Sequence, residues 1–528
     1  MNVNREFDVL ILGSGLSGST LALILQAAGL RTCLIDRARH PRFAIGESTI
    51  PNTSKTYKLM SIKYGVPELA ALSSFGSLID KVGTTNGMKD NFGFVYHEAD
   101  GAPAMRAHQF PLSQIVETES HLFRADVDHW LALRAVDYGA QLLEGIGILD
   151  IDIDDDRGVT VECDNGARYS AQYVVDASGR GSPLARKLGL RTTDLRTRSK
   201  SVFTHMTDVA PFDGITSITA PKRWHTGTLH HVFPNGWMWV IPFDNHPGSS
   251  SPLCSVGVCW RIDDGDDAPF ADPAHAFADF LTTYPEIGKQ FQDARRVMDW
   301  VSAGRLQYNA RKTTGDRWCL TSNAAGFIDP LFSRGMQNTA AVTDRLAEAL
   351  INQFHGGFTP KTFDGIDALQ DQLIRENDYL VANAYSSFAD YDLWNAWFRV
   401  WQVNQVTGTM RTEHRLRQVS GACGGPTAAG VEAPIDGFID AFYSKADEIM
   451  NDYRAGGSTE AAAAEFRKLF AGVDFMPPSF GLTDLSQPYF DIDMAKVASA
   501  VEWAQRARPG IRELFLGGLP ADLRAADR

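Results

Sequence analysis

The stretch from Asp8 to Gly18 limits the possible folds of this chain more than any other part of its sequence. The apolar run Val9–Leu12 has the length and type of a buried parallel strand, and the chain continues as Gly-Ser-Gly-Leu-Ser-Gly into an Ala/Leu-rich segment. A GxGxxG between a strand and a helix is typical of dinucleotide binding. Its first glycine permits a tight turn, its second lets backbone N–H groups approach a pyrophosphate, and its third lets helix and strand pack closely.

An acidic residue completes this pattern. A second apolar run, residues 32–35, ends at Asp36, where an acid can bind a ribose hydroxyl. A later strand, residues 173–176, closes on a small-residue turn, and we predict that it returns to the same parallel sheet. The sequence therefore predicts an α/β fold with a dinucleotide site formed by Gly13, Ser14, Gly15, Leu16, Ser17, Gly18 and Asp36.

The chain is long enough for several structural units. Its 528 residues predict two or three units with a substantial core. We predict a discontinuous nucleotide-binding domain from residues 1–198 and 311–345. Apolar and aromatic residues alternate between turn signals in residues 199–310, which predicts an antiparallel sheet. Residues 346–528 have a mostly helical pattern.

Aromatic residues recur at helical spacing in the carboxy-terminal region. The spacing i, i+3, i+4, i+7 of Trp394, Trp397, Phe398 and Trp401 puts them on one helix face. Such a face more often packs in a core than binds a ligand. We therefore predict that these four side chains are core residues.

The charge balance and the cysteines exclude several classes of function. A formal net charge of −14 argues against a nucleic-acid or anionic-membrane partner, since both require a basic face. No apolar run approaches the length of a membrane span, and we expect a cytoplasmic enzyme. The cysteines form no CxxC motif, so we expect buried free thiols and no metal site, at Cys33, Cys163, Cys254, Cys259, Cys319 and Cys423.

One strand carries the most specific motif of the chain. In Gly-Trp-Met-Trp-Val-Ile-Pro, residues 236–242, the alternation of a strand places Trp237 and Trp239 on one face. Taken alone, this pattern favours two core tryptophans. The string nevertheless resembles GWxWxIP, a signature of the flavin-dependent halogenases.

Three other stretches resemble the same family. Residues 43–48, Phe-Ala-Ile-Gly-Glu-Ser, are similar to its GES loop, which lies against the flavin. Residues 326–335 are similar to its FxDPxxSxG segment. Residues 86–97, which contain Lys89, resemble the stretch that carries the family lysine ahead of a strand. The resemblance covers roughly residues 5–345.

The resemblance implies both a fold and a reaction. The fold is the two-dinucleotide-binding-domain flavoprotein fold with an antiparallel sheet layer and a helical carboxy-terminal region. The cofactor is FAD, delivered as FADH2 by a separate flavin reductase, and the second reactant is a halide ion such as chloride. In the family, oxygen converts the reduced flavin to a peroxyflavin, and halide then gives hypohalous acid. This acid reaches a lysine and halogenates an electron-rich aromatic ring, free or bound to a carrier protein.

The resemblance also implies roles for individual residues. Lys89 is the predicted catalytic residue, with Lys81 as the second candidate because it precedes the same run. Trp237 and Trp239 are predicted to shield the substrate from the flavin. The halide site is predicted at Ser333, Arg334 and Gly335. Further cofactor contacts are predicted at Arg37, Arg42, Ala44, Gly46, Glu47, Ser48, Arg124, Asp176, Asn323, Asp329, Pro330 and Met336.

The chain departs from the family at several positions. Phe332 stands where tryptophan-type members carry a glutamate, which favours a phenol or pyrrole substrate. Ser322-Asn323 replaces the usual Gly-Asp, and Arg334 stands where a small residue is common. Two alternatives therefore remain beside a halogenase. One is an aromatic monooxygenase on the same fold, and the other is a flavin-binding protein without turnover.

Overall fold

A computed structural model describes residues 5–112, 117–154, 157–356, 363–421 and 428–518. The strands are β1 Arg5–Leu12, β2 Thr32–Asp36, β3 Gly87–Lys89, β4 Asn91–Tyr96, β5 Arg106–Pro111, β6 Glu119–His121, β7 Gln141–Glu144, β8 Ile148–Asp154, β9 Gly158–Cys163, β10 Arg168–Asp176, β11 Arg191–Thr192, β12 Ser199–Thr207, β13 Thr228–Phe233, β14 Gly236–Pro242, β15 Cys254–Arg261, β16 Arg295–Arg296, β17 Val301–Ala303, β18 Asn309–Ala310, β19 Thr314–Gly315 and β20 Trp318–Leu320. The helices are α1 Leu16–Ala27, α2 Pro51–Tyr64, α3 Phe75–Lys81, α4 Arg124–Asp137, α5 Pro183–Lys187, α6 Pro273–Thr283, α7 Pro285–Gly288, α8 Arg334–Gly356, α9 Asp364–Ser387, α10 Tyr391–Val419, α11 Ala428–Arg454, α12 Thr459–Ala471, α13 Met494–Arg506 and α14 Pro509–Gly518.

The first sheet contains the predicted dinucleotide unit. Its strands lie in the order β19-β20-β10-β1-β2-β7, and β1 pairs in parallel with both β10 and β2. Residues 9–12 of β1 are completely buried, because the sheet is covered on both faces. The predicted return of residues 173–176 to this sheet is confirmed, since Val9 lies opposite Tyr173 on β10.

The second sheet contains the antiparallel strands predicted for residues 199–310. Its strands lie in the order β16-β12-β15-β14-β13-β4-β5, and every pair formed within residues 199–310 is antiparallel. β4, which comes from outside that range, runs parallel to β13. A parallel neighbour requires a long crossover connection, and residues 97–227 supply it. β4 and β5 also lie within the range predicted for the nucleotide domain, so the division into domains stays a prediction.

A two-stranded ladder holds Lys89. β3 pairs antiparallel with β6, which places Lys89 opposite Glu119 and Gly87 opposite His121. An isolated bridge joins Ser48 to His121. Lys89 thus lies where the loop after β2 meets the second sheet.

The carboxy-terminal helices cover the second sheet with aromatic side chains. Trp394, Trp397, Phe398 and Trp401 of α10 are buried, as predicted. The Phe94 ring on β4 lies 5.4 Å from that of Trp394 and 5.2 Å from that of Phe398. Burial of this face stabilises α10 against the sheet.

The cysteines are buried, and the helices are too short or too polar to cross a membrane, in the part of the chain that the structure describes. Within the described ranges, Cys33, Cys163, Cys254, Cys259 and Cys319 are buried free thiols, and Cys423 lies outside those ranges. In the same part of the chain, no helix combines the length and the apolarity that crossing a membrane requires.

Candidate active site

The glycine-rich loop after β1 has the tight geometry that its sequence predicts. Gly13 has a φ of +102°, a conformation that side chains disfavour, and a Cβ there would lie 2.7 Å from the carbonyl oxygen of Ala177. A Cβ at Gly18 would lie 2.0 Å from the carbonyl oxygen of Gly13. Only glycine therefore lets α1 begin so close to β1. The loop is a cradle of backbone at a helix start.

Asp36 lies beside this loop at the end of β2. Its Oδ2 accepts hydrogen bonds from both the N–H and the hydroxyl of Ser14, each at 2.9 Å, and its Oδ1 accepts one from Ala38 N–H. Arg42 Nη2 lies 3.2 Å from the carboxylate. Burial raises the pKa of Asp36, but these hydrogen bonds and Arg42 together lower it below its usual value. Asp36 is therefore an anionic acceptor at the loop, whereas Arg37 is exposed.

Arg124 fastens the loop of residues 42–48. Its Nε and Nη2 donate to the two carboxylate oxygens of Asp128 at 2.8 and 3.0 Å. Its Nη1 donates to the carbonyl oxygens of Ile45 and Gly46, both at 2.9 Å. Four of its five N–H groups are thus used within the protein. The guanidinium holds the loop, and one of its N–H groups remains for the predicted contact with the cofactor.

Asp176 lies at the end of β10 and caps the turn that follows. Its carboxylate accepts from the N–H and hydroxyl of Ser178, from the hydroxyl of Ser182, and from Leu184 N–H. The side chain is completely buried. The carboxylate therefore shapes the turn, and the predicted role of Asp176 in cofactor binding stays a prediction.

Glu47 and His205 form a buried pair under the same loop. Glu47 Oε1 lies 2.7 Å from His205 Nε2, while its Oε2 has no hydrogen-bond partner among the described residues. The His205 ring contacts the edge of Phe43, with centroids 5.2 Å apart. Gly46 precedes this pair and is exposed, with a φ of +98°. The loop thus presents exposed backbone above a buried, partly unsatisfied carboxylate, and Ala44 is half-buried.

Lys89 is completely buried in a polar cradle. Its Nζ donates to Ser48 Oγ at 2.8 Å and to the Thr49 carbonyl oxygen at 2.6 Å. The same atom lies 3.9 Å from the centroid of the Phe92 ring. Burial lowers the pKa of Lys89 well below its ordinary value. Lys89, the predicted catalytic residue, is therefore enclosed by the protein.

Hydroxyl and imidazole groups extend this cradle. Ser48 Oγ lies 2.8 Å from Thr228 Oγ1, which lies 2.9 Å from His121 Nε2. His121 Nδ1 is 2.8 Å from the Pro242 carbonyl oxygen, so Nδ1 carries the proton and donates. Burial lowers the pKa of His121 to about 3, and its ring is therefore neutral.

Glu119 is a carboxylate near Lys89 that the sequence reading missed. It is buried on β6 opposite Lys89 and accepts a hydrogen bond from Ser54 Oγ at 2.6 Å. Burial raises the pKa of Glu119, and the nearby ammonium of Lys89 opposes that rise. Its sequence neighbourhood carries no motif, because Glu119 and Lys89 become neighbours only when β3 and β6 pair.

Lys81, the second candidate, lies outside the enclosed site. It is the last residue of α3, its side chain is 65% exposed, and it pairs with Asp80 at 3.0 Å. A solvated lysine has an ordinary charge and no enclosed path to a substrate. The burial of Lys89 and the exposure of Lys81 therefore favour Lys89, and the choice of catalytic lysine stays a prediction.

Asp329 lies in the segment before α8 and is buried. Its Oδ1 accepts from Trp237 Nε1 at 3.2 Å and from Leu331 N–H, and its Oδ2 accepts from Ser199 and Tyr385 hydroxyls. Burial raises the pKa of Asp329 to about 6 despite these donors. The carboxylate joins three elements, β12, β14 and α9, to the segment before α8. Its predicted position along the ribityl chain remains a prediction.

The tryptophans of β14 lie between these groups. Trp237 and Trp239 are both buried with ring centroids 5.7 Å apart, so their predicted common face is confirmed. Trp239 Nε1 donates to Ser255 Oγ. The Trp237 ring is 5.6 Å from that of His230, which stacks on Phe92. The pair thus forms a wall between Asp329 and the Phe92 side of the sheet.

The predicted halide residues lie at the start of α8. Ser333 has a φ of +53°. Gly335 is exposed, and the space where a side chain would begin at this position is open. Arg334 pairs with Glu376 at 3.2 Å, while its Nη1 is buried without a partner among the described residues. The amino terminus of a long helix carries a partial positive charge, which suits an anion. Pro330 is half-buried here, and Met336 is buried.

A cavity adjoins this helix start. Its empty volume is about 480 Å³, and it lies between the turn of residues 322–329, α8 and α9. Asn323, Asp329 and Gly335 all line it, so the structure brings together residues predicted for cofactor and halide. Asn323 is exposed, and its carbonyl oxygen accepts from the Tyr308 hydroxyl.

A larger cavity is lined in part by Phe92, the residue whose ring lies against Lys89 Nζ. It has an empty volume of about 790 Å³ including its mouth, within the usual range for small-molecule sites. Ile50, Phe92 and Phe110 line one side, and residues of α10 line the other. Its lining is mostly apolar. Phe92 thus contacts the Lys89 ammonium and also lines this apolar cavity.

Comparison with known proteins adds a family context. A family model described as tryptophan halogenase matches residues 104–399, and one described as FAD binding domain matches residues 6–57. Tetracycline 7-halogenase of Kitasatospora aureofaciens is 39% identical, covering 99% of this chain and 97% of that protein. Monodechloroaminopyrrolnitrin halogenase PrnC of Pseudomonas fluorescens is 39% identical, covering 90% and 87%. The crystal structure of halogenase PltM in complex with phloroglucinol and FAD superposes with a TM-score of 0.85 at 31% identity, covering 92% of this chain and 99% of that one.

Proposed function

The chain belongs to the tryptophan halogenase family and is a flavin-dependent halogenase that uses FAD and halide, and from this premise we propose that Lys89 directs the halogen to a phenol or pyrrole ring. The observation that carries the proposal is the burial of the Lys89 ammonium against the ring of Phe92, a residue that also lines an apolar cavity. The proposal concerns the substrate class and the residue roles.

The residues of the glycine-rich loop fit FAD. The positions of Gly13 and Gly18 admit no side chain, which leaves backbone N–H groups accessible at the start of α1. Asp36 is an anionic acceptor at the end of β2, where a ribose hydroxyl can donate to it. Bound FAD, once reduced, supplies the oxygen-dependent oxidation of halide to hypohalous acid.

Lys89 Nζ is the donor that this reaction requires near the ring. Two of its N–H groups are held by Ser48 and Thr49, which fixes the nitrogen, and the remaining side faces Phe92. We propose that Nζ donates a hydrogen bond to the oxygen of hypohalous acid. As the carbon–halogen bond forms, the halogen–oxygen bond breaks, and the oxygen leaves as water after it takes the ring proton.

The identity of residue 332 supports a phenol or pyrrole over an indole. Phe332 stacks on Trp401 with centroids 4.7 Å apart, so this position contributes apolar surface and no carboxylate. A phenol or pyrrole is itself strongly nucleophilic, and it needs less help from a base. The glutamate that tryptophan-type members carry at this position is absent here. Glu119 on β6 lies opposite Lys89.

The partners follow from the reaction. We propose that a separate flavin reductase supplies reduced FAD, that the substrate ring is free or bound to a carrier protein, and that the protein works in the cytoplasm. We also propose that the α8 start at Ser333, Arg334 and Gly335 holds the halide, since its N–H groups and the helix charge favour an anion.

Mass spectrometry of products tests the proposal. The enzyme is incubated with FAD, a flavin reductase, NADH, oxygen and either chloride or bromide, with phenols, pyrroles and indoles as substrates. We expect a halogen isotope pattern with phenols or pyrroles that Lys89→Ala abolishes and Lys81→Ala leaves unchanged. Oxygenated products that form without halide would show a monooxygenase. FAD content of each variant serves as the folding control.

A further inference from the structure

Polar side chains form a stripe on the α10 wall of the larger cavity. Gln402, Gln405 and Thr409 all line it, and their spacing of three and four residues places them on one face of the helix. The hydroxyl of Thr409 already donates to the Gln405 carbonyl oxygen at 2.7 Å. The two glutamine amides are therefore the side chains that can act on a ligand.

Unpartnered N–H donors concentrate on this wall. Gln402 Nε2, Gln405 Nε2 and Trp401 Nε1 are buried, and none has a hydrogen-bond partner among the described residues. Gln402 is only 1% exposed. Buried donors without partners are unfavourable and uncommon. Three of them beside one cavity indicate a ligand that accepts hydrogen bonds.

The remaining lining shows that this ligand is neutral where it meets α10. Among the described residues that line the cavity, none is charged. A carboxylate or phosphate would lose its hydration there without gaining a cation. A carbonyl oxygen loses much less, and it accepts two hydrogen bonds. The lining residues outside α10 are all apolar, and one of them, Phe92, lies against Lys89 Nζ.

We infer that Gln402 and Gln405 select aromatic substrates that carry a carbonyl oxygen on the edge away from the reacting carbon. The amide N–H groups donate to this oxygen, and the electron-rich carbon then faces Phe92 and Lys89. The inference rests on the proposed function, since it names the substrate class of the same site. Gln402 and Gln405 are specificity-determining residues that take no part in forming the carbon–halogen bond.

A matched pair of phenols tests the inference. para-Hydroxybenzophenone and para-benzylphenol share one skeleton and differ by a carbonyl oxygen in place of two hydrogens. We expect wild-type enzyme to prefer the ketone, and we expect Gln402→Leu and Gln405→Leu each to lower the ketone-to-methylene ratio of kcat/KM about tenfold. Because each ratio is taken within one variant, differences in the amount of folded enzyme cancel.

Further measurements separate recognition from packing. Met410→Leu changes the shape of the same wall without changing a donor, and it should leave the ratio unchanged. Isothermal titration of the FAD-loaded enzyme with each phenol should show the same loss of preference in binding. Gln405 is only half-buried, so Gln405→Leu remains a usable variant if Gln402→Leu fails to fold.

The small phenol phloroglucinol distinguishes failure of the inference from failure of the proposed function. If phloroglucinol is halogenated and the ketone ratio is the same in wild type and both glutamine variants, the inference is overturned while the proposed function stands. An equal loss on both matched phenols would also overturn it, since that result indicates packing alone. If none of the three phenols yields a halide-dependent product, the proposed function fails, and the inference fails with it.

Discussion

Asp329 and Lys89 are two buried ionisable groups that differ in how fully the protein satisfies them. The carboxylate of Asp329 accepts four hydrogen bonds from β12, β14, α9 and its own segment. The ammonium of Lys89 has two oxygen acceptors, and its third direction meets only the face of Phe92. Both groups are shifted toward their neutral forms by burial.

The difference separates a structural group from a chemically available one. A carboxylate with four donors has no capacity left for a ligand, so its interactions hold elements together. An ammonium whose third N–H meets only the face of a ring retains the ability to donate to an oxygen. Unused hydrogen-bonding capacity is therefore a better guide to chemistry in this molecule than burial or pKa alone.

Replacement of Lys89 should have the largest effect on activity. Lys89→Met keeps the length of the side chain and removes the donor, and we expect halogenation to fall about 100- to 10,000-fold. The free energy of unfolding should fall by less than in Asp329→Ala, because Lys89 donates to two acceptors whereas Asp329 accepts from four donors. Product formation by mass spectrometry and urea unfolding measure the two effects. Lost stability together with retained activity would reverse the comparison.

Replacement of Asp329 should have the opposite signature. Asp329→Ala leaves the buried donors of Ser199, Trp237 and Tyr385 without their acceptor, and we expect a loss of about 3–5 kcal/mol in the free energy of unfolding. Chemical denaturation measures this loss. Asp80→Ala, at an exposed carboxylate, is the matched control and should change stability by less than about 0.5 kcal/mol.

The pKa of Asp329 also predicts a pH dependence. Its folded pKa of about 6 lies above the ordinary 3.8, so its stabilising contribution is complete below pH 3.8 and is lost as the pH rises through 6. A shift of about 2 pKa units corresponds to about 3 kcal/mol. The stability of wild type relative to Asp329→Asn should fall by that amount across this range. A pH-independent difference would show that the carboxylate stays ionised.

Glu119 should have the smallest effect, through the pKa of Lys89. Its charge favours the ammonium, so Glu119→Gln should lower the pKa of Lys89 further. We expect the limb of the pH–rate profile that reports Lys89 to move to lower pH. Glu117→Gln, at an exposed position two residues away, should leave the profile unchanged. An unshifted limb in Glu119→Gln would show that Glu119 does not affect the pKa of Lys89.

The sequence was sufficient wherever function depends on backbone geometry within a short stretch. The glycine-rich loop, its strand and Asp36 lie as predicted, because Gly13 and Gly18 restrict the chain locally. The family, the cofactor and the fold class are confirmed. The choice of Lys89 over Lys81 agrees with their burial, although its catalytic role stays a prediction.

The sequence was insufficient wherever a site is assembled from distant segments. Glu119 reaches Lys89 only through the pairing of β3 with β6. Gln402 and Gln405 were not recognised, because the aromatic spacing of α10 correctly predicted only its core-facing residues. The same helix also lines a cavity, which that spacing does not indicate. The parallel pairing of β4 with β13 likewise depends on a crossover of more than a hundred residues.

During synthesis on the ribosome, β4 emerges long before β13 and α10, the elements that pair with it and cover it. Until Tyr391 and the rest of α10 have been made, the rings of Phe92 and Phe94 have no aromatic partners from that helix. Aromatic side chains that stay exposed in this way promote aggregation. The α10 wall of the larger cavity is thus also the segment that covers these rings once it has been made.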